Sequence, residues 1–462
     1  MKMNKNYKTN MYKLKLLSLS ILLGIGAYAT AQTDTAAQTK SFSLKEAIDY
    51  ALTHNALNMN AEIDVQMSNA KKNEIRGMGM PQISGSFDMK DYVELPTQLL
   101  PGEVFGGPPG SFIPVQFGTK YNATAGVQAS LGIFNSDYIV ALQSSKTFLE
   151  LSQKNAQRTK IETTVAVSKA YYSVLVNRQR LQLLEANILR IKKLFDDTKA
   201  LNESGFVEKI DVDRVEVAYN NLIAEKEKVA RLIVISEYLL KFQMGLDVQT
   251  PILLTDSMNF NEIPQMPDTT IVGKFDFKNR IEYSLLLNQR KLNELDWKRN
   301  RMGYLPTLFA YGNLSSQAQR NEFDIFNTSK RWYPIGIIGL TLNVPIFDGL
   351  QKNYRIQQSK LSLMKTQNMI SYTENAIKLE ISSTLVVYQN AIQSLTTQKK
   401  NMELAQGVYD ASKKKYDAGV GSSLEVMTAE TSLKEAQTNY YNALYEYYVA
   451  KVDLDKATGA IK

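Results

Sequence analysis

Side chains able to do covalent chemistry are scarce in this chain. Its 462 residues include no cysteine and one histidine, His54. A metal site needs three or four converging ligands, so His54 alone reads as a surface or packing residue. No glycine-rich phosphate loop precedes a Lys-Ser or Lys-Thr pair, and no nucleophile motif is visible. This argues against an enzyme and against a bound cofactor. What stands out is a pair of carboxylates, Asp211 and Glu425, each six residues after a glycine, Gly205 and Gly419. An acid placed there falls in the first turn of a helix, where the helix dipole favours it. Tyr416 lies three residues before the second glycine.

Long helices must carry these residues. Ile381, Thr384, Tyr388, Ala391, Leu395, Gln398, Met402, Ala405 and Tyr409 follow one another at steps of three and four. After the glycine, Val426, Ala429, Leu433, Ala436, Tyr440, Ala443, Tyr447, Ala450 and Leu454 do the same. Such spacing is the heptad seam of a supercoiled helix. Two seams about Gly419 predict an antiparallel helical hairpin. Gly419 ends the first helix in a left-handed cap. Ser422 opens the second by capping the Glu425 amide, with Glu425 reaching back.

The same pattern occurs earlier. Asp137 to about Leu201 carries the seam Val167, Ala170, Val174, Asn177, Leu181, Leu184, Ile188, Ile191, Phe195. Gly205 breaks it, and a return helix on Val212, Val215, Tyr219, Leu222, Lys226, Val229 and Ile233 ends at Gly245. At helical rise, about 65 residues reach roughly 100 Å. Adding 214 carries the first seam onto the second, Gly205 onto Gly419, Asp211 onto Glu425 and Gly245 onto Gly459. The chain therefore reads as a duplication: a first repeat over 32–246, a linker over 247–275 with little regular structure, and a second repeat over 276–462.

Each half also predicts a shorter helix and two strands. A capping box, Ser43-Leu44-Lys45-Glu46, opens a helix to about Arg76. Strands follow at about 82–93 and 119–134, with the Gly- and Pro-rich stretch 94–118 as a loop. Tyr121, Ala123, Ala125, Val127, Ala129, Leu131 and Ile133 alternate with smaller or polar residues, giving one apolar and one polar face. In the second half a helix from about Phe277 to Arg301 precedes strands at about 307–315 and 335–347, the latter with Ile338, Leu340, Leu342, Val344 and Ile346 on one face. The helical hairpins span about 137–245 and 349–459.

The N-terminus predicts export. Lys2, Lys5, Lys8, Lys13 and Lys15 precede an apolar run from Leu16 to Ala29, and Ala29-Thr30-Ala31 reads as a cleavage site, the pattern of a signal peptide over residues 1–31. These residues hold five lysines and no acid, so the formal charge of +8 falls to +3 without them. That excess is too small to argue for nucleic acid. No later apolar run is long enough for a membrane helix, whereas a tilted membrane strand of roughly ten residues fits the alternating stretch. Strand edges in lipid must be paired. Four strands cannot close a barrel, so the barrel must be shared: two chains would give eight strands, three would give twelve.

With its paired halves, its strand ends Gly132-Ile133-Phe134 and Pro345-Ile346-Phe347-Asp348-Gly349, and its turn Tyr416-Asp417-Ala418-Gly419 before Leu424-Glu425-Val426, the chain resembles the TolC-like outer membrane efflux proteins over nearly all of Phe42 to Gly459. The resemblance implies a mainly α fold with a membrane β-barrel part: a homotrimer with a shared twelve-stranded barrel in outer membrane lipid and a long α-helical barrel in the periplasm. It implies a passive conduit that docks a periplasmic adaptor and an inner-membrane RND or ABC transporter. It also implies that the hairpin turns form the periplasmic constriction, with Asp211, Glu425 and Tyr416 at the gate and Gly205, Phe206, Val207, Gly419, Val420, Gly421 and Ser422 at the adaptor. Some members carry an arginine where this chain has Gly421, so its gate link differs or is absent. A type I protein secretion channel is an alternative use of the same conduit. A periplasmic coiled-coil adaptor would lack the duplicated strand pair.

Overall fold

A computed structural model describes residues 40–256 and 275–461. The predicted signal peptide and the middle of the predicted linker lie outside the described residues. The first half runs β1 (Lys40–Phe42), α1 (Leu44–His54), α2 (Ala56–Gly77), β2 (Gln82–Asp91), β3 (Thr97–Pro101), β4 (Phe112–Gln116), β5 (Tyr121–Phe134), α3 (Ser136–Glu203) and α4 (Lys209–Met244). Then come β6 (Ile252–Leu254), α5 (Ile281–Met302), β7 (Thr307–Arg320), β8 (Tyr333–Asn343), α6 (Gln351–Asp417) and α7 (Ser423–Ala457).

Strands β2, β5, β7 and β8 form one antiparallel sheet in the order β2-β5-β7-β8. Register sorts its faces. Lys90 opposes Asn122, which opposes Gln319; Asp88 opposes Thr124, which opposes Gln317; and Ser84 opposes Gln128, which opposes Asn313. These residues share one face, because side chains alternate along a strand; it is polar along β2 and β5, while Tyr311, Ile335 and Ile337 of β7 and β8 lie on it too. The other face carries Ile83, Val127, Leu314, Ile338, Leu340 and Leu342, all left exposed within the chain. Ile338 is 94% exposed. Among the described residues no helix is long and apolar enough to cross a membrane.

Several predicted boundaries change. The helix expected from Ser43 to Arg76 is two helices, because Asn55 adopts an extended backbone. Its side chain accepts from the Leu57 amide at 2.8 Å and so caps α2. The stretch 94–118 is not only loop: β3 and β4 pair within it, from Thr97 opposite Gln116 to Pro101 opposite Phe112. Strand β7 continues five residues beyond the predicted end at 315, because its register with β5 holds to Arg320 opposite Tyr121. Strand β8 stops at Asn343, leaving Val344, Pro345 and Ile346 beyond it. Proline has no amide to donate to a ladder. The linker is structured where it begins: β6 pairs in parallel with β1. Beside it Asp256 accepts from the Leu44 amide at 2.8 Å and the Tyr171 hydroxyl at 2.9 Å.

The seams are the core. Val167, Val174, Ile191, Val215, Val229, Ile381, Leu433, Ala443 and Tyr447 are all buried. α3 packs on α4, α6 on α7, and α3 also packs on α7, joining the two hairpins.

The halves match in single contacts. Asn55 donates from Nδ2 to the Gln243 carbonyl at 2.7 Å, and Arg280 donates from Nη1 to the Ala457 carbonyl at 2.9 Å. Gly245 and Gly459 both have left-handed φ and both press on the backbone just before those residues. Ser68 bonds Ser152 at 2.6 Å, and Asn293 bonds Thr366 at 2.6 Å. The hairpin partners in these pairs lie 214 residues apart, and the partners from the shorter helices 225 apart. One contact has exchanged sides. At Gly79 an added Cβ would fall 2.2 Å from the Tyr138 hydroxyl. In the second half the corresponding places hold Tyr304 and Lys352, with the ammonium 5.8 Å from the ring centre.

Candidate functional site at the hairpin turns

The two turns are built alike. Gly205 and Gly419 adopt φ of 77° and 75°, the left-handed region that glycine enters without steric cost. The Phe206 amide returns to the Leu201 carbonyl at 2.9 Å, and the Val420 amide returns to the Lys415 carbonyl at 3.1 Å. These bonds satisfy carbonyls that a helix end leaves free. Each turn then presents an apolar side chain to solvent: Phe206 is 78% exposed and Val420 is 80% exposed. Asn202 donates to the Val207 carbonyl at 2.8 Å and stiffens the first turn. In the second turn, a Cβ on Gly421 would lie 3.0 Å from both the Lys415 Cβ and the Tyr416 nitrogen. A larger residue there requires its neighbours to give by a few tenths of an ångström.

Two hydrogen bonds tie the hairpins of one chain together near the turns. Asp211 is half-buried at the start of α4, and its Oδ1 accepts from the Ser423 hydroxyl at 2.6 Å. Arg214 lies 3.5 Å from the same oxygen. On the other side, the Tyr416 hydroxyl meets the Thr198 hydroxyl at 3.1 Å. The Lys413 ammonium sits 5.3 Å from the centre of the Tyr416 ring, and it pairs with Asp417 at 2.6 Å. Glu425 is placed differently from Asp211. Ser422 does accept from the Glu425 amide, at 3.2 Å. The Glu425 carboxylate is exposed and, among the described residues, has no cation partner. The structure thus brings Asp211 and Ser423 together, and Tyr416 and Thr198, but not Asp211 and Glu425. A neutral hydrogen bond contributes about 0.5–1.5 kcal/mol and a charged one about 1.5–3 kcal/mol. Two such links hold the hairpins together without making separation prohibitive.

Sequence reasoning missed a third carboxylate. Glu430 on α7 is only 5% exposed, and both its oxygens lack a hydrogen-bond partner among the described residues. Across from it on α3 is Arg190, which donates to the Asn187 side chain and lies 5.4 Å from the centre of the Tyr409 ring on α6. Asn187 in turn bonds Gln437 of α7 at 2.6 Å. A buried polar layer therefore runs between the hairpins just above the turns. Its signal was present, since Glu430 lies four residues after Val426 and three before Leu433, the spacing of a seam. Burial pushes the Glu430 carboxyl up to about 6, against the pull of Arg190 and Lys434.

The sign of its effect on stability follows. A carboxyl whose pKa is raised by folding favours the folded state when protonated, and penalises it once ionised. The penalty is absent below its unfolded pKa and complete above about 6. Glu430→Gln is therefore expected to stabilise the protein by about 1–2 kcal/mol at pH 8 and to change little at pH 4.5. Melting temperatures of both proteins at the two pH values test this. An equal shift at both would show that ionisation is not the cause.

Known proteins share this fold. The family described as outer membrane efflux protein matches residues 48–245 and 294–460. The outer membrane protein TolC of Escherichia coli (strain K12) is 22% identical over 359 residues, covering 74% of this chain and 71% of that one. The toluene efflux pump outer membrane protein TtgC of Pseudomonas putida is 22% identical over 349 residues, covering 74% and 69%. Among solved structures, the outer membrane protein VceC of Vibrio cholerae superposes with a TM-score of 0.69 at 14% identity, covering 90% of this chain and 96% of that one. The outer-membrane channel OprN gives 0.72 at 14% identity, covering 90% and 89%. The solved structures share the fold, and the family match over both halves shows that the chain belongs to the outer membrane efflux protein family.

Proposed function

We propose that three copies of the chain form a passive outer membrane channel that carries substrates delivered by an inner-membrane RND or ABC transporter through a periplasmic adaptor. The observation that carries this is the sheet. It has an exposed apolar face, a polar face and two edge strands, β2 and β8, left unpaired among the described residues. Lipid cannot satisfy those edges, so neighbouring copies must, and three copies supply twelve strands with the polar face inward. The helices support the same reading, because α6 carries a second apolar stripe, Tyr372, Leu379 and Val386, at seven-residue spacing and uncovered within the chain. The names of the relatives favour efflux over protein secretion.

In this reading the hairpin turns are the periplasmic mouth. Phe206 and Val420, with Gly205, Val207, Gly419, Gly421 and Ser422 shaping their loops, meet the adaptor. Asp211 and Tyr416 hold the mouth closed through Ser423 and Thr198, and Glu425 adds negative charge that favours cations. Purified protein in a planar bilayer tests the reading. Asp211→Asn combined with Tyr416→Phe weakens both links, and should raise the open fraction about tenfold, the effect of about 1.4 kcal/mol. If purified oligomer forms no pores, the channel reading fails. If pores form and the double variant leaves them unchanged, only the gate assignment fails.

A further inference from the structure

At the end of the sheet away from the hairpins, the connecting segments fold onto opposite faces. Between β7 and β8, the Phe323 ring lies edge-on to Tyr121 with centres 5.5 Å apart, and Ile325 is 1% exposed. Tyr121 alternates onto the same face as Val127, so this loop covers the end of the apolar face. The connections around β3 and β4 lean the other way. The Tyr92 amide donates to the Lys120 carbonyl at 2.8 Å, and a Cβ on Gly118 would meet Leu95 at 3.8 Å. Tyr92 and Phe117 join Asp88, Lys90, Asn122, Thr124, Gln317 and Gln319 around a hollow of about 240 Å³. The last six share one face of the sheet by register.

This lining suits a neutral ligand rich in hydroxyls. Lys90 and Asp88 pair at 3.3 Å and offset each other's charge, so neither an anion nor a cation is called for. Asn122 is occupied with Thr119, donating to its carbonyl at 3.0 Å and accepting from its hydroxyl at 3.2 Å. The side chains of Tyr92, Thr124, Gln317 and Gln319 have no hydrogen-bond partner among the described residues. The two glutamines stand on β7 and the ion pair on β2, on either side of β5 and roughly 10 Å apart by strand spacing. A ring lying over β5 reaches polar groups on both of its edges. Its flat side meets the exposed Phe117 ring. A pyranose sugar has this shape, with hydroxyls around the rim and C–H groups on the face. Amides and a carboxylate take the hydroxyls, and an aromatic ring takes the C–H face.

Resting on the channel reading above, which turns this face to the pore, we propose that the hollow binds a neutral sugar ring at the outer end of the conduit. Gln317 and Gln319 hold hydroxyls on one side, Asp88 and Lys90 hold them on the other, and Phe117 covers the ring. A free oligosaccharide and the sugars of a surface glycolipid offer the same chemistry.

Calorimetric titration of the purified protein tests this, in a detergent whose headgroup is not a sugar. The free probes are maltotriose, mannotriose and chitotriose, and the lipid-linked probe is lipopolysaccharide in mixed micelles. At least one should bind saturably, and the free or the lipid-linked form identifies the source. Gln317→Ala with Gln319→Ala should weaken that binding about tenfold or more, as should Phe117→Ala. Gln128→Ala, on the same face but outside the hollow, should leave it unchanged. The substituted side chains are at the surface, and unchanged melting temperatures confirm that the variants fold. No saturable binding by any probe, or equal binding by all variants, overturns the proposal. Pores in a planar bilayer without sugar binding leave the channel reading standing, and sugar binding without pores leaves only the site.

Discussion

Gly245→Ala should cost about 3 kcal/mol or more of stability, against about 1 kcal/mol for Gly205→Ala. The two glycines have nearly the same backbone, with φ of 74° and 77°. An L-residue held there loses about 1–2 kcal/mol in either place. Their surroundings differ. At Gly205 a new Cβ meets nothing within 4 Å. At Gly245 it would lie 2.5 Å from the His54 carbonyl oxygen and 2.9 Å from the Asn55 Cα. Both are backbone atoms at the break between α1 and α2, and backbone cannot rotate aside as a side chain does. The methyl must push the end of α4 off α2, which also strains the bond from Asn55 to the Gln243 carbonyl. A Cβ on Gly459 would lie 2.6 Å from the Asn279 carbonyl oxygen in the same sense, so Gly459→Ala should behave like Gly245→Ala. Thermal unfolding of the three variants measures this. Equal losses at 205 and 245 would mean that the close approach contributes nothing.

The second large effect is expected at Arg280. Its side chain is 5% exposed, and its guanidinium joins three groups: Glu380 at 2.7 Å, Glu282 at 2.9 Å and the Ala457 carbonyl at 2.9 Å. Those bonds hold its pKa above the usual arginine value in spite of burial. Arg280→Leu removes all of them and strands the carbonyl at the end of α7, a loss of about 2–4 kcal/mol. The upper figure for a broken buried pair does not apply, because both glutamates remain partly exposed and keep water. The first half shows a gentler alternative. There Asn55 caps its helix and reaches the equivalent carbonyl as a neutral amide. Arg280→Asn should therefore recover part of what Arg280→Leu loses. A melt in which asparagine is no better than leucine would show that the carbonyl bond is not what matters.

The long elements were legible because their signals are long. A seam kept over nine residues, a turn with one left-handed glycine and a thirteen-residue alternation each leave few alternatives. What escaped was short or depended on a partner far away in sequence. Asn55 looks helical from its neighbours, yet its amide is claimed by Gln243. β3 and β4 are too short and too rich in proline to announce themselves, and only their mutual register makes them strands. β6 is a strand because β1 lies beside it. At the turns, the sequence placed both carboxylates on helix starts but could not separate them. Asp211 is half-buried on Ser423 while Glu425 is exposed, a difference set by which hairpin stands opposite. Glu430 was passed over because a charged residue beside a seam ordinarily reaches for water. Here α3 closes over it.

The length of α3 has a mechanical consequence. The helix runs unbroken for 68 residues, from the foot of the sheet to the first turn. At helical rise that is a rod of roughly 100 Å. α1, α2 and α5 pack along its first part, as far as about Leu175. Beyond that it is held by the seams and by single contacts to the second hairpin, Asn187 with Gln437, Asp197 with Lys413 and Thr198 with Tyr416. A rod held this way is a lever with an arm of roughly 40 Å. Tilting that arm by about 5° sweeps the turn through roughly 4 Å, while groups near the fulcrum move less than the width of a side chain. Travel of that size at the mouth needs no large rearrangement at the grip. The force that prises apart Thr198 and Tyr416 can be small if it is applied at the tip, where the arm is longest.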